Sequence, residues 1–559
     1  MNARRFTIII LLFTLLVGAC AQRASEAPTP EVVIERPVEE VIEEPMEEQE
    51  GEQSQEVFIP QAPQPTAPIA QHPHPTPLPT MVAPPPQGSA EGEPVSPYPT
   101  APPPADNFFE NYGVNPFIDA YEDHLSTFAL DVDTASYSVA RRYVMDGHLP
   151  PADAVRVEEF INYFDQGYPT PPDIAFGIYA DGAPSPFHYD GSYLLRFGIQ
   201  GYQVPEGARK PASLIFVIDV SGSMERENRL ELVKRSLQML VDRLRPDDTV
   251  AIVVYGSQAR TVLYPTSGED RNAILNAIYG LRTEGATNAE AGLRLGYQIA
   301  WQAYRHEAIN RVILCSDGVA NVGATGPDAI LETIRGYVDA GINLTTVGFG
   351  MGNFNDVLME QLADNGDGSY AYVDTLDEAE KLFVEDLTST LQTIALDVKI
   401  QVDFNRDVVS RYRLIGYENR AVADQDFRDD TVDAGEIGAG HSATALYAVQ
   451  LQPQAQGRIA TVQLRWEDPD SHRVQEINGN FNTWDLASSF DSANTRYQLA
   501  VVVSQYAELL RRSPWAGETS IHHLVDHAYR LSSILFDDPE VLEFASLVSR
   551  ASQIQALEW

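Results

Sequence analysis

Buried-strand patterns alternate with helical patterns between residues 213 and 395, and this alternation constrains the fold more than any other feature of the chain. Apolar runs at 213–220 and 249–255 have the length of buried strands, whereas leucines and valines between 230 and 244 recur at helical spacing. Such alternation is typical of a doubly wound, mostly parallel sheet with helices on both faces. We therefore predict an α/β module whose ligands bind beyond the carboxyl ends of its strands.

Five oxygen-bearing side chains are expected at that edge of the sheet. Asp219, Ser221 and Ser223 follow the first strand, Thr287 precedes a helix, and Asp317 follows a later strand. Carboxylate and hydroxyl oxygens suit a hard divalent ion that keeps some water ligands. Mg²⁺ fits this set best, with Mn²⁺ and Ca²⁺ as alternatives. The set holds no histidine or thiolate, which argues against Zn²⁺.

The order Asp-x-Ser-x-Ser, a distant Thr and a later Asp-Gly resembles the metal-ion-dependent adhesion site of von Willebrand factor type A (VWA) domains. The resemblance implies that the three hydroxyls ligate the metal and that the two aspartates act mostly through water. It also implies an open coordination position, which a Glu or Asp of a protein partner fills. Because the five residues include no His, Lys or Cys that could form a nucleophile–base pair, we expect a binding protein and not an enzyme.

The flanks of the module carry further parts of this resemblance. The stretches 127–137 and 433–441 resemble a bacterial branch of VWA lipoproteins that has an N-terminal companion segment and an uncharacterised C-terminal domain. The predicted regions are a companion segment at 107–204, a VWA domain at 205–395, a β-rich region at 396–480 and a helical region at 481–559. Strand-like runs on both sides of the module favour one β-sandwich built from both flanks, with the VWA domain inserted into it.

Two smaller motifs receive structural interpretations. Asp131, Asp133 and Ser136 offer the ligands of a second ion, but we predict that they cap the helix that follows. Cys315 ends an apolar strand and is predicted to be a buried free thiol.

The C-terminal region supplies an alternative function. His523, Asp526 and His527 lie within one helical turn, an arrangement that could hold Zn²⁺ in a hydrolase. The apolar stripe of this helix lies between the histidines, so we favour a structural role for them. A second alternative is a non-catalytic envelope scaffold in which the metal only stabilises the VWA domain.

The N-terminus predicts export and lipid anchoring. Two arginines precede a 12-residue apolar run, which is typical of a signal segment and too short to span a bilayer. The ending Val17-Gly18-Ala19-Cys20 resembles the lipobox of bacterial lipoproteins, which implies a signal peptide at 1–19 and lipidation of Cys20. We therefore expect an extracytoplasmic protein anchored in the cell membrane or the outer membrane.

Residues 20–106 are predicted to form a disordered tether. Residues 21–106 contain 21 of the 38 prolines, and 15 acidic against 2 basic residues. The whole chain of 559 residues has a formal charge of −42, which excludes a general nucleic-acid binder and disfavours adsorption to an anionic membrane surface.

Overall fold

The computed structural model describes residues 107–557, apart from residues 173, 189, 319–333, 352–353 and 518. The predicted signal segment, Cys20 and the tether therefore lie outside the described residues. Among the helices that the structure describes, none combines the length and the apolar character that crossing a membrane requires.

Strands and α-helices are numbered here along the described chain. The strands are β1 (Ile118–Asp119), β2 (Leu125–Ala129), β3 (Phe176–Pro184), β4 (Tyr193–Gly201), β5 (Ala212–Asp219), β6 (Thr249–Tyr255), β7 (Ala259–Ser267), β8 (Ile309–Ser316), β9 (Asn343–Phe349), β10 (Tyr370–Val373), β11 (Thr393–Phe404), β12 (Val409–Ile415), β13 (Gly435–Gly438), β14 (Ser442–Leu451), β15 (Arg458–Glu467) and β16 (Val474–Asn482). The helices are α1 (Ala135–Met145), α2 (Val157–Asn162), α3 (Arg229–Val241), α4 (Arg271–Gly280), α5 (Ala289–Gln302), α6 (Asp356–Asp364), α7 (Leu376–Glu380), α8 (Leu387–Leu391), α9 (Thr495–Leu510), α10 (Ile521–Ile534) and α11 (Pro539–Leu557).

The central sheet confirms the predicted α/β module. Its strand order is β10-β9-β8-β5-β6-β7, and every neighbouring pair is parallel except β6 with the edge strand β7. The chain passes from β5 to β6 on one side and later returns to β8 on the other side. The ends of β5 and β8 therefore form a topological switch point, where doubly wound sheets leave a crevice for ligands.

Helices cover both faces of this sheet because the central strands are buried on both sides. Leu214 and Phe216 of β5 pack with α3 and α4, whereas Ile215 and Val217 pack with α5 and α6. The alternation follows from the two-residue period of a strand. Near-continuous apolar strands of this kind are the expected sequence of a buried parallel sheet.

Both flanks contribute strands to one β-sandwich, as the sequence hypothesis proposed. One sheet has the order β1-β12-β14-β4-β3, and the other has the order β13-β11-β15-β16 with β2 also paired to β11. Strands β4 and β14 pair along their length although the whole VWA domain lies between them in sequence. Apolar residues from the two sheets share one core, which includes Phe197, Val402, Tyr447 and Trp466.

The C-terminal helices pack on the sandwich and on the first two helices. Phe160 of α2 lies 6.3 Å from Tyr506 of α9, measured between ring centroids, and Tyr506 lies 5.6 Å from Phe544 of α11. These rings belong to one continuous apolar core. The predicted helical region therefore exists, and it is joined to the companion segment by aromatic contacts.

A buried ion-pair junction replaces the predicted helix cap in the companion segment. Asp131 and Asp133 lie 3.1 and 3.8 Å from the guanidinium of Arg420, and the Ser136 hydroxyl donates to the carbonyl of Ala154 at 2.7 Å. Helix α1 begins without a side-chain cap. The capping prediction was wrong because these residues bind partners distant in sequence.

Candidate metal centre

The loop after β5 holds Asp219 by hydrogen bonds from the protein itself. One carboxylate oxygen accepts the Ser221 backbone N–H at 2.7 Å, and the other accepts the Ser316 hydroxyl at 3.2 Å. Asp219 and Ser221 are buried, whereas Ser223 is half-buried. Since both carboxylate oxygens of Asp219 already accept hydrogen bonds, the carboxylate is fixed in orientation before any ligand arrives.

Asp317 lies across the switch point from Asp219. The parallel pairing of Ile218 with Cys315 brings the ends of β5 and β8 side by side. Burial raises the pKa of Asp219 to about 6, the charge of Asp317 adds to that rise, and hydrogen bonds from Ser221 and Ser316 oppose it. Two fully buried carboxylates that repel one another make the site attractive to a cation.

The hydroxyls of Ser221 and Ser223 are hydrogen-bonded to one another, with their Oγ atoms 2.9 Å apart. This spacing is that of an ordinary hydrogen bond. The lone pairs of both hydroxyl oxygens are of the type that hard divalent ions such as Mg²⁺, Mn²⁺ and Ca²⁺ accept as ligands. The donor types therefore fit a hard divalent ion.

The loop that carries Thr287 is bound to the loop after β5. The Gly222 N–H donates to the Gly285 carbonyl at 3.2 Å, and Asn288 caps α5 by accepting the Ala291 N–H. Gly285 has a φ of +73°, and a Cβ there would lie 2.3 Å from the Ser257 hydroxyl oxygen, so glycine is required. Thr287, which is half-buried, thus lies at the same edge of the sheet as the Asp-x-Ser-x-Ser loop.

Arg229 is a residue of this site that the sequence analysis missed. Its guanidinium is buried and donates to an oxygen of Asp317 at 2.8 Å and to the Met351 carbonyl. Arg229 is the first residue of α3. A cation there faces the positive end of the helix dipole, and this unfavourable position was the sequence signal that an anion lies nearby.

Tyr255, at the end of β6, is a second residue that the sequence analysis missed. Among the described residues, its buried hydroxyl has no hydrogen-bond partner within ordinary limits. Burial and the charge of Asp219 both raise the pKa of this hydroxyl. The Tyr255 hydroxyl therefore stays protonated and uncharged, and the side chain lines the crevice beside Asp219.

Other predicted motifs lie away from this centre or have ordinary structural roles. Cys315 is a fully buried free thiol whose pKa is raised by burial, as predicted. The His527 ring packs edge-on against Phe187 and Phe490, while His523 is exposed. In the part of the chain that the structure describes, His523, Asp526 and His527 belong to no group of metal-binding side chains with three or more members.

An acidic group lies at the other end of the VWA domain. Carboxylate oxygens of Asp367, Asp433 and Glu436 all lie within 4.8 Å of one another. Asp433 and Glu436 come from the stretch 433–441 that resembled the bacterial lipoprotein branch, and burial raises the pKa of Glu436. These residues are separate from the five predicted ligands.

Known protein families match three consecutive parts of the chain. The family model described as von Willebrand factor type A domain matches residues 213–386. A model described as von Willebrand factor matches residues 103–196, and one described as uncharacterized protein YfbK, C-terminal, matches residues 389–554. The second and third matches fall on the two flanks that build the sandwich.

A similar protein decides the family. The chain is 34% identical over 475 residues to uncharacterized protein YfbK of Escherichia coli (strain K12), with 80% of this chain and 81% of that protein covered. The chain belongs to the YfbK family of VWA-domain proteins. A second relative, uncharacterized protein sll0103 of a Synechocystis species, is 27% identical over 285 residues, which cover 50% of this chain and 66% of that protein.

More distant similarity is confined to part of this YfbK-family chain. Inter-alpha-trypsin inhibitor heavy chain H4 of Homo sapiens is 29% identical over 203 residues, covering 32% of this chain and 22% of that protein. A solved structure, von Willebrand factor type A from Catenulispora acidiphila, has a TM-score of 0.39 and 16% identity, and covers 62% of this chain and 81% of that chain.

Proposed function

We propose that this protein is a lipid-anchored, extracytoplasmic binding protein whose VWA domain uses a divalent ion to bind an acidic group of a protein partner. VWA domains commonly mediate protein–protein interactions and are generally non-catalytic. The proposal goes beyond this general role, because it specifies a divalent ion, an acidic group on the partner and a lipid anchor at Cys20.

The observation that carries the proposal is the arrangement at the switch point. Two hydroxyl oxygens 2.9 Å apart lie beside two fully buried carboxylates. The loop bearing Thr287 is bound to the same place. Oxygen donors of this kind suit a hard divalent ion, for which Mg²⁺ is the first candidate and Mn²⁺ and Ca²⁺ are alternatives.

The side chains divide into two roles. Ser221, Ser223 and Thr287 supply neutral oxygens that would ligate an ion directly. Asp219 already accepts two protein hydrogen bonds and Asp317 accepts one from Arg229, so these carboxylates would act mainly through water. A bound divalent ion would keep much of its positive charge, because the two carboxylates would not contact it directly. That charge would attract a partner's carboxylate.

The charge of the chain sets how strongly binding depends on the ion. The charge is −42 overall, with +2 in residues 1–20 and −13 in residues 21–106, which leaves −31 for the rest. An acidic partner group therefore approaches against a repulsive field. Only the positive charge of the ion, and any basic residues around the partner's acidic group, oppose that repulsion. Partner binding should therefore fall steeply when the ion is removed.

Asp219→Ala should weaken ion binding at this site. The full chain should bind one Mg²⁺ in calorimetric titration, and the variant should bind it at least about tenfold more weakly because the orienting carboxylate is lost. Crosslinking in intact cells should capture a partner with the unaltered protein and not with Asp219→Ala. Chelation with EDTA should release that partner.

The matched control is Asp242→Ala, which removes an exposed aspartate paired with Arg271 in the same domain. It should bind Mg²⁺ and the partner as the unaltered chain does. Equal partner capture by Asp219→Ala, with or without EDTA, would contradict the metal-bridge mechanism. A lower melting temperature in EDTA with capture retained would favour the scaffold alternative.

Cys20 should carry the lipid. Metabolic labelling with an alkyne fatty acid should label the protein, and Cys20→Ala should remove the label because no thiol remains at the predicted cleavage site. Cys315→Ser is the control, since Cys315 is a fully buried thiol in the folded domain. Equal labelling of Cys20→Ala and the unaltered chain would rule out lipidation at Cys20.

A further inference from the structure

We propose that Arg229 is a positioning residue that weakens ion binding and strengthens binding of a carboxylate to the loaded site. The inference rests on the proposed function of the Asp219–Asp317 centre. It assigns a specific part of that function to a residue that is not among the five predicted ligands.

The guanidinium of Arg229 is held on several sides. It is 3% exposed, donates to Asp317 at 2.8 Å, and also donates to the Met351 carbonyl in the segment after β9. Gly350 has a φ of +85°, and a Cβ there would lie 2.2 Å from Nε of Arg229. The backbone at Gly350 therefore leaves room for the guanidinium, which cannot swing away without movement of this segment.

This placement changes the charge that an incoming ion meets. Asp219 and Asp317 together carry two negative charges when both are ionised, and Arg229 cancels one of them at a contact distance. A divalent ion would leave such a site with a net charge of about +1, whereas without Arg229 the net charge would be about zero. The excess charge disfavours the ion and favours a foreign carboxylate.

The contact with Asp317 also constrains how that aspartate can act. One of its oxygens accepts the Arg229 N–H, so the carboxylate is turned toward α3. Arg229 lies at the helix N-terminus, where a cation is intrinsically unfavourable, and burial makes an unpaired guanidinium more unfavourable still. The ion pair with Asp317 therefore compensates the buried charge of Arg229, and it couples helix α3 to the metal centre.

If Arg229 had only a structural role, its removal would change the ion affinity in a different way. If the guanidinium only neutralises Asp317 for folding, its removal should lower stability and leave or weaken the affinity for an ion. If it sets the charge of the site, its removal should raise that affinity. Ion affinity therefore separates the two roles in a way that a melting temperature does not.

The test is a titration of the full chain with Mn²⁺, followed by electron paramagnetic resonance of the free ion. Arg229→Met should bind Mn²⁺ at least about tenfold more tightly than the unaltered chain, since a neighbouring positive charge has been removed. Arg229→Gln should show the same gain while it retains an N–H donor for Asp317. Arg229→Lys, which keeps the charge, should stay within about threefold of the unaltered chain.

The matched control is Arg226→Met, which removes the same charge from an exposed position three residues earlier. It should leave the Mn²⁺ affinity unchanged, because exposed charges are screened by water and salt. Circular dichroism confirms which variants are folded. If Arg229→Met does not fold, Arg229→Gln carries the test. If neither folds, Arg229→Lys carries the test. An Mn²⁺ affinity at least tenfold higher or lower than that of the unaltered chain overturns the inference, and an affinity within threefold supports it.

Acetate provides the second readout. Proton relaxation of water bound to Mn²⁺ should fall as acetate displaces that water, and the neutral variants should need at least about tenfold more acetate than the unaltered chain. If the unaltered chain binds no Mn²⁺, the proposed function itself fails. If it binds Mn²⁺ and folded Arg229→Gln binds no more tightly, only the role of Arg229 is overturned.

Discussion

Arg156→Met should lower the free energy of unfolding by about 3–5 kcal/mol, because it leaves buried carboxylates without their counter-ion. Arg156 is fully buried, contacts Glu159, and lies 2.6 Å from Asp356 and 3.5 Å from Glu360. Methionine has a similar length, so the loss should come from charge and hydrogen bonding more than from a cavity. Urea unfolding of the full chain at pH 8 measures the effect.

The matched control for this substitution is Arg142→Met. Arg142 makes ion pairs of 2.8 Å with Asp146 and 3.4 Å with Glu227, but its side chain is 29% exposed. Partly exposed pairs contribute little, so the expected loss is under about 1 kcal/mol. An equally small loss for Arg156→Met would show that the ion pairs of Arg156 with Glu159, Asp356 and Glu360 do not stabilise the fold.

Glu158→Gln should raise the free energy of unfolding at pH 8 by about 2–3 kcal/mol. Glu158 is fully buried, and in the part of the chain that the structure describes neither oxygen of its carboxyl group accepts a hydrogen bond within ordinary limits. Burial first, and then the charge of Glu418, raise its pKa to about 7, while the nearby amides of Glu158 and Tyr417 oppose that rise. Glutamine has nearly the same shape and carries no charge to bury.

The sign of the pH effect follows from the direction of that pKa shift. The folded chain keeps the Glu158 proton up to about pH 7, whereas an unfolded chain loses it near pH 4.5. Stability from this group is therefore complete below about pH 4.5 and falls as the pH rises toward 7. Urea unfolding between pH 5 and 8 should show a smaller decline for Glu158→Gln than for the unaltered chain.

Some decline with pH should persist in that variant. Glu159 and Glu360 also have raised pKa values, of about 8 and about 7, with burial as the leading cause. Glu231→Gln is the control, since the Glu231 side chain is 62% exposed and should leave the pH profile unaltered. Parallel profiles for Glu158→Gln and the unaltered chain would contradict a buried, proton-holding Glu158.

The sequence was sufficient to predict the parallel strands of the central sheet because they are largely buried on both faces and read as apolar runs. It was insufficient for strands β7, β12 and β16, which the sequence analysis did not identify. In β7 and β16, buried and exposed positions do not alternate regularly. The segment 376–391 forms two short α-helices joined by a π-helical turn at Lys381–Glu385.

The candidate site was likewise predicted only in part. The five oxygen ligands were predicted because their order along the chain resembles a known motif, and the structure brings the loops that carry them to one edge. Arg229 was missed because its partner, Asp317, is 88 residues away in sequence. Asp131 and Asp133 were misassigned for the same reason, since Arg420 is distant along the chain and only the folded sandwich brings it near.

The insertion of the VWA domain into the sandwich has a mechanical consequence. The chain enters the domain from β4 and leaves it into β11, and the Lys210 N–H donates to the Gln392 side chain at 3.0 Å, which joins the two crossings. Both crossings lie at the end of the sheet opposite the candidate metal centre. A partner pulling on that centre would therefore load two strands in parallel, each clamped in a β-sheet, and force would be shared between them instead of passing through a single hinge.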